Sequence, residues 1–130
     1  MNFKKWLLLE MTTMGININD SDQAFTDQIL KGKKTIETRN KPTLDPYVGK
    51  KVGIIRTGVG AATLVGYVVI GNPIFYKNKE EFDRDYEKHL ISKNSSFYIT
   101  DKGKWGYPLK NVEKTKEKYI TSKGIVSRKL

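Results

Sequence analysis

Apolar residues along this chain fall into short runs separated by turn-forming residues, with few long stripes. Lys4–Met11 carries a leucine run flanked by charge, which predicts a buried strand. Thr12–Asn19 holds Gly15 and two asparagines and is expected to be a loop. Asp20, with Gln23 three positions on, predicts a capping box and a helix to about Lys31, with Phe25 and Ile29 as its inner stripe. Gly32 stands where a helix ends on a left-handed residue. A strand follows, Ile36 toward the core and Thr35, Glu37 and Arg39 sharing the opposite face, since strand side chains alternate.

Pro42 and Pro46 mark a loop, and Lys51–Arg56 and Thr63–Ile70 read as strands across a Thr57–Gly60 turn. Asn78 opens a second helix with Glu81 as capping partner, and Phe82, Tyr86 and Leu90 fall at helical spacing. Ser92–Ser96 is loop, and Phe97–Ile99, Tyr107–Glu113 and Ile125–Arg128 are shorter strands. Two helices interrupting about six short strands predict an α+β domain around a curled, barrel-like sheet.

At 130 residues the chain is expected to form a single domain, 1–130, large enough to fold without staples. It has no cysteine, which excludes disulfides and thiolate metal sites, and its one histidine, His89, cannot build a histidine-rich zinc site. No acidic spacing points to magnesium, so neither metal nor cofactor is expected. The first ten residues place two lysines before three leucines, but the apolar run is too short to span a membrane and no small-residue cleavage site follows; a cytoplasmic protein is expected.

The formal net charge is +10, unevenly spread: −2 over residues 1–30, +6 over 31–56, zero over 57–100 and +6 over 101–130. Two basic segments flanking a neutral middle suit a polyanion if the fold joins them; a lysine-rich solubilising surface is the plainer reading.

The chemistry concentrates in Gly32-Lys33-Lys34-Thr35-Ile36-Glu37-Thr38-Arg39. Arg39 offers a planar fork for a phosphate or base edge, and Lys33 and Lys34 supply point charges. Glu37 can accept from an exocyclic amine or hold Arg39 in one orientation. The plainer alternative is a Glu37–Arg39 ion pair ordering a strand edge, worth about 0–1 kcal/mol if exposed. Catalysis would ask that Lys34 be partly neutral near neutral pH to act as a base; Lys33 and Arg39 favour its neutral form and Glu37 its charged form. Thr35 or Thr38 offers a hydroxyl nucleophile, each needing an adjacent base.

The pattern Gly-x-Lys-x-x-Glu-x-Arg, met at Gly32, Lys34, Glu37 and Arg39, resembles the signature of the ASCH domain family of the PUA-like superfamily. The order of elements is similar over roughly residues 4–128, including a late Trp105-Gly106-Tyr107-Pro108-Leu109 strand. The resemblance implies a small PUA-like β-barrel with flanking helices, and RNA or single-stranded nucleic acid engaged in a cleft beside the octet. Some bacterial members look like small hydrolases that deacetylate 4-acetylcytidine, and others are linked to RNA cleavage. In the deacetylase branch the octet supplies a lysine, which Lys34 matches, and a threonine, where this chain has Glu37. That branch also uses a later carboxylate, for which Glu80, Glu81 and Glu87 are candidates.

Beyond the octet, Lys104, Trp105 and Tyr107 interleave a cation with aromatics on which a base can stack, Tyr107 being read as the more exposed ring; core packing of Trp105 is the alternative. Arg56 ends a strand where it can line the same cleft or be solvated. The nucleic-acid-contacting set is thus Lys33, Lys34, Thr35, Glu37, Arg39, Arg56, Lys104, Trp105 and Tyr107, with Lys34 and Glu37 as the catalytic pair if the protein is an enzyme. The expected partner is RNA, single-stranded nucleic acid or a modified nucleoside, with no membrane; a protein-binding module is a third class, disfavoured by the lack of an exposed apolar stripe. Thr57–Gly60 lacks the lysine and helix of a phosphate loop, His89 has no visible catalytic partner, and Lys123–Leu130 reads as a frayed basic arm.

Overall fold

The computed structural model describes residues 12–130; the strand expected at Lys4–Met11 lies outside the described residues. Seven strands are seen there: β1 (Met14–Asn19), β2 (Ile36–Arg39), β3 (Lys51–Thr57), β4 (Thr63–Ile70), β5 (Ile74–Tyr76), β6 (Lys104–Tyr119) and β7 (Ser127–Lys129). The helices are short: α1 (Phe25–Leu30), α2 (Lys79–Arg84), α3 (Tyr86–His89) and a 3₁₀ turn at Asp45–Tyr47. The strand order is β2-β6-β4-β3-β1-β7, with β5 also on β6. β1 runs parallel to β3 and the other pairs are antiparallel.

β6 makes the sheet curl. Its first residues lie between β2 and β5, with Arg39 opposite Trp105 and Phe75 opposite Trp105 on the other side. From Leu109 to Tyr119 it pairs with β4 instead, through two register shifts. Bulges bend a strand and raise its twist, so one strand serves two parts of the sheet. The result is a mixed half-barrel with three helices, the α+β, barrel-like architecture that the element pattern predicted and consistent with the PUA-like fold that the resemblance implied. Its core gathers Ile16, Ile18, Val52, Ile54, Val68 and Ile70 from the sheet against Phe25 and Ile29 of α1 and Phe82 of α2.

Several local expectations are corrected. Thr12–Asn19 is mostly strand β1, not loop: Ile16 and Ile18 are both buried, and pairing with β3 outweighs the turn preference of glycine and asparagine. Gly15 is there because Ile55 and Leu130 leave no room for a side chain. Helix α1 starts at Phe25 after an Ala24 cap. Asp20 still serves it from a distance, its carboxylate accepting from Thr26 N at 3.0 Å and Thr26 Oγ1 at 2.5 Å. Gly32 is left-handed (φ 75°), as expected. Asn78 caps α2 by accepting from Glu81 N at 3.0 Å, while Glu81 accepts from Lys77 N.

The second helical segment breaks at Asp85, so Tyr86 turns outward and His89 takes the buried position. Phe97–Ile99 is irregular, and Lys123–Leu130 is not frayed, since β7 pairs with β1 and Leu130 N donates to Thr13 O at 3.0 Å.

Gly66 lets α1 and β6 approach β4 closely. A Cβ there would strike the Glu113 carbonyl and lie 2.7 Å from Leu30 Cδ2. Gly66→Ala is therefore expected to cost about 1–3 kcal/mol, read as a lower urea midpoint at unchanged slope; an unchanged midpoint would contradict this packing.

Candidate functional site

A cleft of about 380 Å³ opens between β1, β2, the start of β6 and the 124–128 segment. Lys34, Glu37, Arg39 and Lys104 line it on one side, with Ile18, Phe25, Ile91 and Phe97 supplying apolar surface. The octet folds this way because α1 ends at Gly32 and hands the chain to β2 only at Ile36. Lys34 therefore precedes strand alternation and turns inward, almost fully buried, while Lys33 and Thr35 are exposed.

The polar side is a connected network. Lys34 Nζ donates to the His89 carbonyl at 2.5 Å, lies 3.9 Å from Glu37 Oε1 and stands 4.6 Å from the centre of the Phe25 ring. Arg39 donates through Nε (3.1 Å) and Nη2 (3.0 Å) to Glu37 Oε2, and through Nη2 to the Asn17 carbonyl at 2.7 Å. Lys104 Nζ donates to Asn40 Oδ1 at 3.0 Å and to the Phe97 carbonyl at 2.6 Å. Two cations, Lys34 and Arg39, thus pair with one carboxylate, and Lys104 lines the cleft near them. Burial pulls the Lys34 amine down to about 8, with Lys104 and Arg39 adding to the effect and Glu37 opposing it. Lys104 is likewise pulled down to about 8 by burial and Arg39, again against Glu37.

His89 supports this wall from behind. Its ring stacks on Phe82 with centroids 3.9 Å apart. A backbone N–H can only donate, so the 2.9 Å bond from Ile91 N makes His89 Nδ1 the acceptor. Nε2 therefore carries the proton and donates to the Phe82 carbonyl at 2.7 Å. Burial and the nearby Lys34 lower the pKa of this imidazole, against the Phe82 carbonyl, Asp85 and Asp83.

The other expected site residues lie elsewhere. Lys33 and Thr35 face solvent away from the cleft. Arg56 pairs with Glu117 at 2.8 Å, off the cleft. Tyr107 is fully buried, contrary to the expectation of an exposed ring, because its ring packs in the hydrophobic core while its hydroxyl donates to Asp45 Oδ1 at 2.7 Å. Trp105 is half-buried beside Phe75, ring centroids 4.8 Å apart. Glu80, Glu81 and Glu87 sit on the acidic helices and none lines the cleft. Sequence reading missed Asn17, Arg128 and the apolar wall; only the alternation of Ile16 and Ile18 around Asn17 hinted at them. Among the described residues no cluster of His, Cys, Asp or Glu could hold a metal, and no helix is long and apolar enough to cross a membrane.

No family model matches the chain, and no curated protein matches it significantly. Among solved structures it is similar to the ASCH protein of Zymomonas mobilis, with a TM-score of 0.63 at 16% identity over 78% of this chain and 68% of that one. Two variants of that protein are similar too. One with tyrosine replaced by phenylalanine gives a TM-score of 0.64 at 15% identity, over 82% and 75% of the two chains. One with serine replaced by alanine gives 0.62 at 17% identity, over 78% and 69%. The chain has the ASCH-domain fold.

Because His89 is held neutral, the folded state binds fewer protons than the unfolded chain once the pH drops below the free imidazole value. Stability is expected to fall as pH drops below about 6.5. Urea unfolding of wild type and His89→Phe across that range checks it: the substituted protein should lose this slope, and an equal slope in both would contradict the assignment.

Proposed function

We propose that the protein binds RNA or single-stranded nucleic acid, with one nucleotide held in the cleft beside Lys34, Glu37, Arg39 and Lys104. The observation that carries this reading is the convergence of Lys34 and Arg39 on the Glu37 carboxylate, with buried Lys104 lining the same cleft beside an apolar wall. The excess positive charge suits a phosphate, and the apolar side suits the face of a base. Glu37 is fixed by Arg39 and can accept from an exocyclic amine at the base edge. In this reading the protein works in the cytoplasm, where RNA is at hand.

The binding reading is tested with a short, mixed-sequence, fluorescein-labelled single-stranded RNA titrated at several salt concentrations. Log affinity is expected to fall linearly with log salt. Arg39→Ala is expected to weaken binding by roughly tenfold or more. Affinity indifferent to salt, or to Arg39→Ala, would contradict a phosphate-led site.

One observation favours a second reading, hydrolysis of a modified nucleoside such as 4-acetylcytidine, or of RNA. With its amine pulled down to about 8, about a tenth of Lys34 is neutral near neutral pH and can take a proton. Thr38 lines the same cleft, whereas Glu37 occupies the threonine position of the deacetylase pattern. In this reading, incubation with acetylated cytidine releases acetate in wild type and not in Lys34→Met, which keeps the buried stem. Turnover that survives Lys34→Met would remove Lys34 from the chemistry.

A further inference from the structure

Ile125 is 96% exposed, yet it lines the mouth of the cleft. An isoleucine turned into solvent on a slack loop would need no explanation. This one stands on a segment tied down by a single side chain. Asn17 Nδ2 donates to the carbonyls of Gly124 and Ile125, both at 2.9 Å. Asn17 Oδ1 accepts from Arg128 Nε at 3.2 Å, and Asn17 N donates to the Val126 carbonyl at 3.0 Å. Just beyond, Tyr47 Oη and Ser127 Oγ are hydrogen-bonded at 2.6 Å. The same Asn17 uses its own carbonyl to hold Arg39 on the charged side of the cleft. One residue therefore sets the spacing between the charged wall and the 124–128 wall.

We infer that Asn17 clamps the 124–128 segment as a second wall of the cleft, and that Ile125 closes over the ring of the bound nucleotide. The inference rests on the nucleotide-binding reading and adds the element that covers the ligand's open face. None of the described residues covers the Ile125 side chain, so a flat ring entering the cleft is what would remove it from water. The polar edge of that ring meets Glu37 and Arg39, and its apolar face meets Ile125. A phosphate or sugar alone would gain nothing from an isoleucine, so the ligand is one that inserts its base.

The test uses the same labelled RNA, with affinity and dissociation rate measured for wild type, Ile125→Ala, Ile125→Leu and Asn17→Asp. Ile125→Ala is expected to weaken binding roughly three- to tenfold, the effect of losing a buried aliphatic contact. The salt slope should stay unchanged, because no phosphate contact is removed. Ile125→Leu should bind nearly as wild type. Asn17→Asp sets a carboxylate against two carbonyls and should speed dissociation while far-ultraviolet dichroism stays native. Wild-type binding with Ile125→Ala unaffected would overturn the clamp alone. Failure of the wild type to bind RNA would overturn the nucleotide reading and the clamp together.

Discussion

The cleft depends on burying one ammonium group. Lys34 is 1% exposed, and an ammonium taken out of water costs several kcal/mol unless it is hydrogen-bonded and paired. Two features meet that cost, the His89 carbonyl and the Glu37 carboxylate. Neither is there by accident of surface packing. The His89 carbonyl is aimed by the break after α3, where Leu90 adopts a left-handed backbone (φ 61°). Glu37 is held by Arg39, which is held in turn by the backbone of β1. A helix end, the early strand β2 and strand β1 are thereby tied to one charge.

That arrangement is poor as a stabilising device and well suited to a binding one. Replacing buried ion pairs with apolar side chains is often neutral or favourable to stability. Here Lys34, Arg39 and Lys104 line a recess whose one carboxylate, Glu37, pairs with the first two, which leaves positive potential where the cleft opens. A ligand bringing negative charge would complete the network. The pKa values of Lys34 and Lys104 are depressed chiefly by burial, with neighbouring cations adding to the effect and Glu37 only partly opposing it.

How much of this was legible in the sequence varies with the range of the interaction. Thr63–Ile70 was readable to the residue, and the Gly32 turn and the Asn78 cap were readable from local chemistry. The octet stood out by composition, and four of its residues, Lys34, Glu37, Thr38 and Arg39, line the cleft. Strand alternation misassigned faces because Lys34 lies before β2 begins and owes its direction to the helix end. Tyr107 was misread because its partner, Asp45, is far away in sequence and no local signal announces a buried phenol. β1 was misread because asparagine and glycine suggest turns; there, parallel pairing to β3 and bonds to the 124–128 segment decide. Asn17 shows the limit most clearly: all its site contacts span long stretches of chain, and sequence periodicity carries none of them.

The most direct measurement is lysine-selective nuclear magnetic resonance, following the side-chain Cε and Nζ signals while unlabelled single-stranded RNA is added. The account predicts that Lys34 and Lys104 shift first and furthest, with their amines moving toward the ordinary lysine range as phosphate supplies the missing counter-charge. Shifts confined to exposed lysines such as Lys31, Lys79 and Lys116, with Lys34 and Lys104 unmoved, would contradict it.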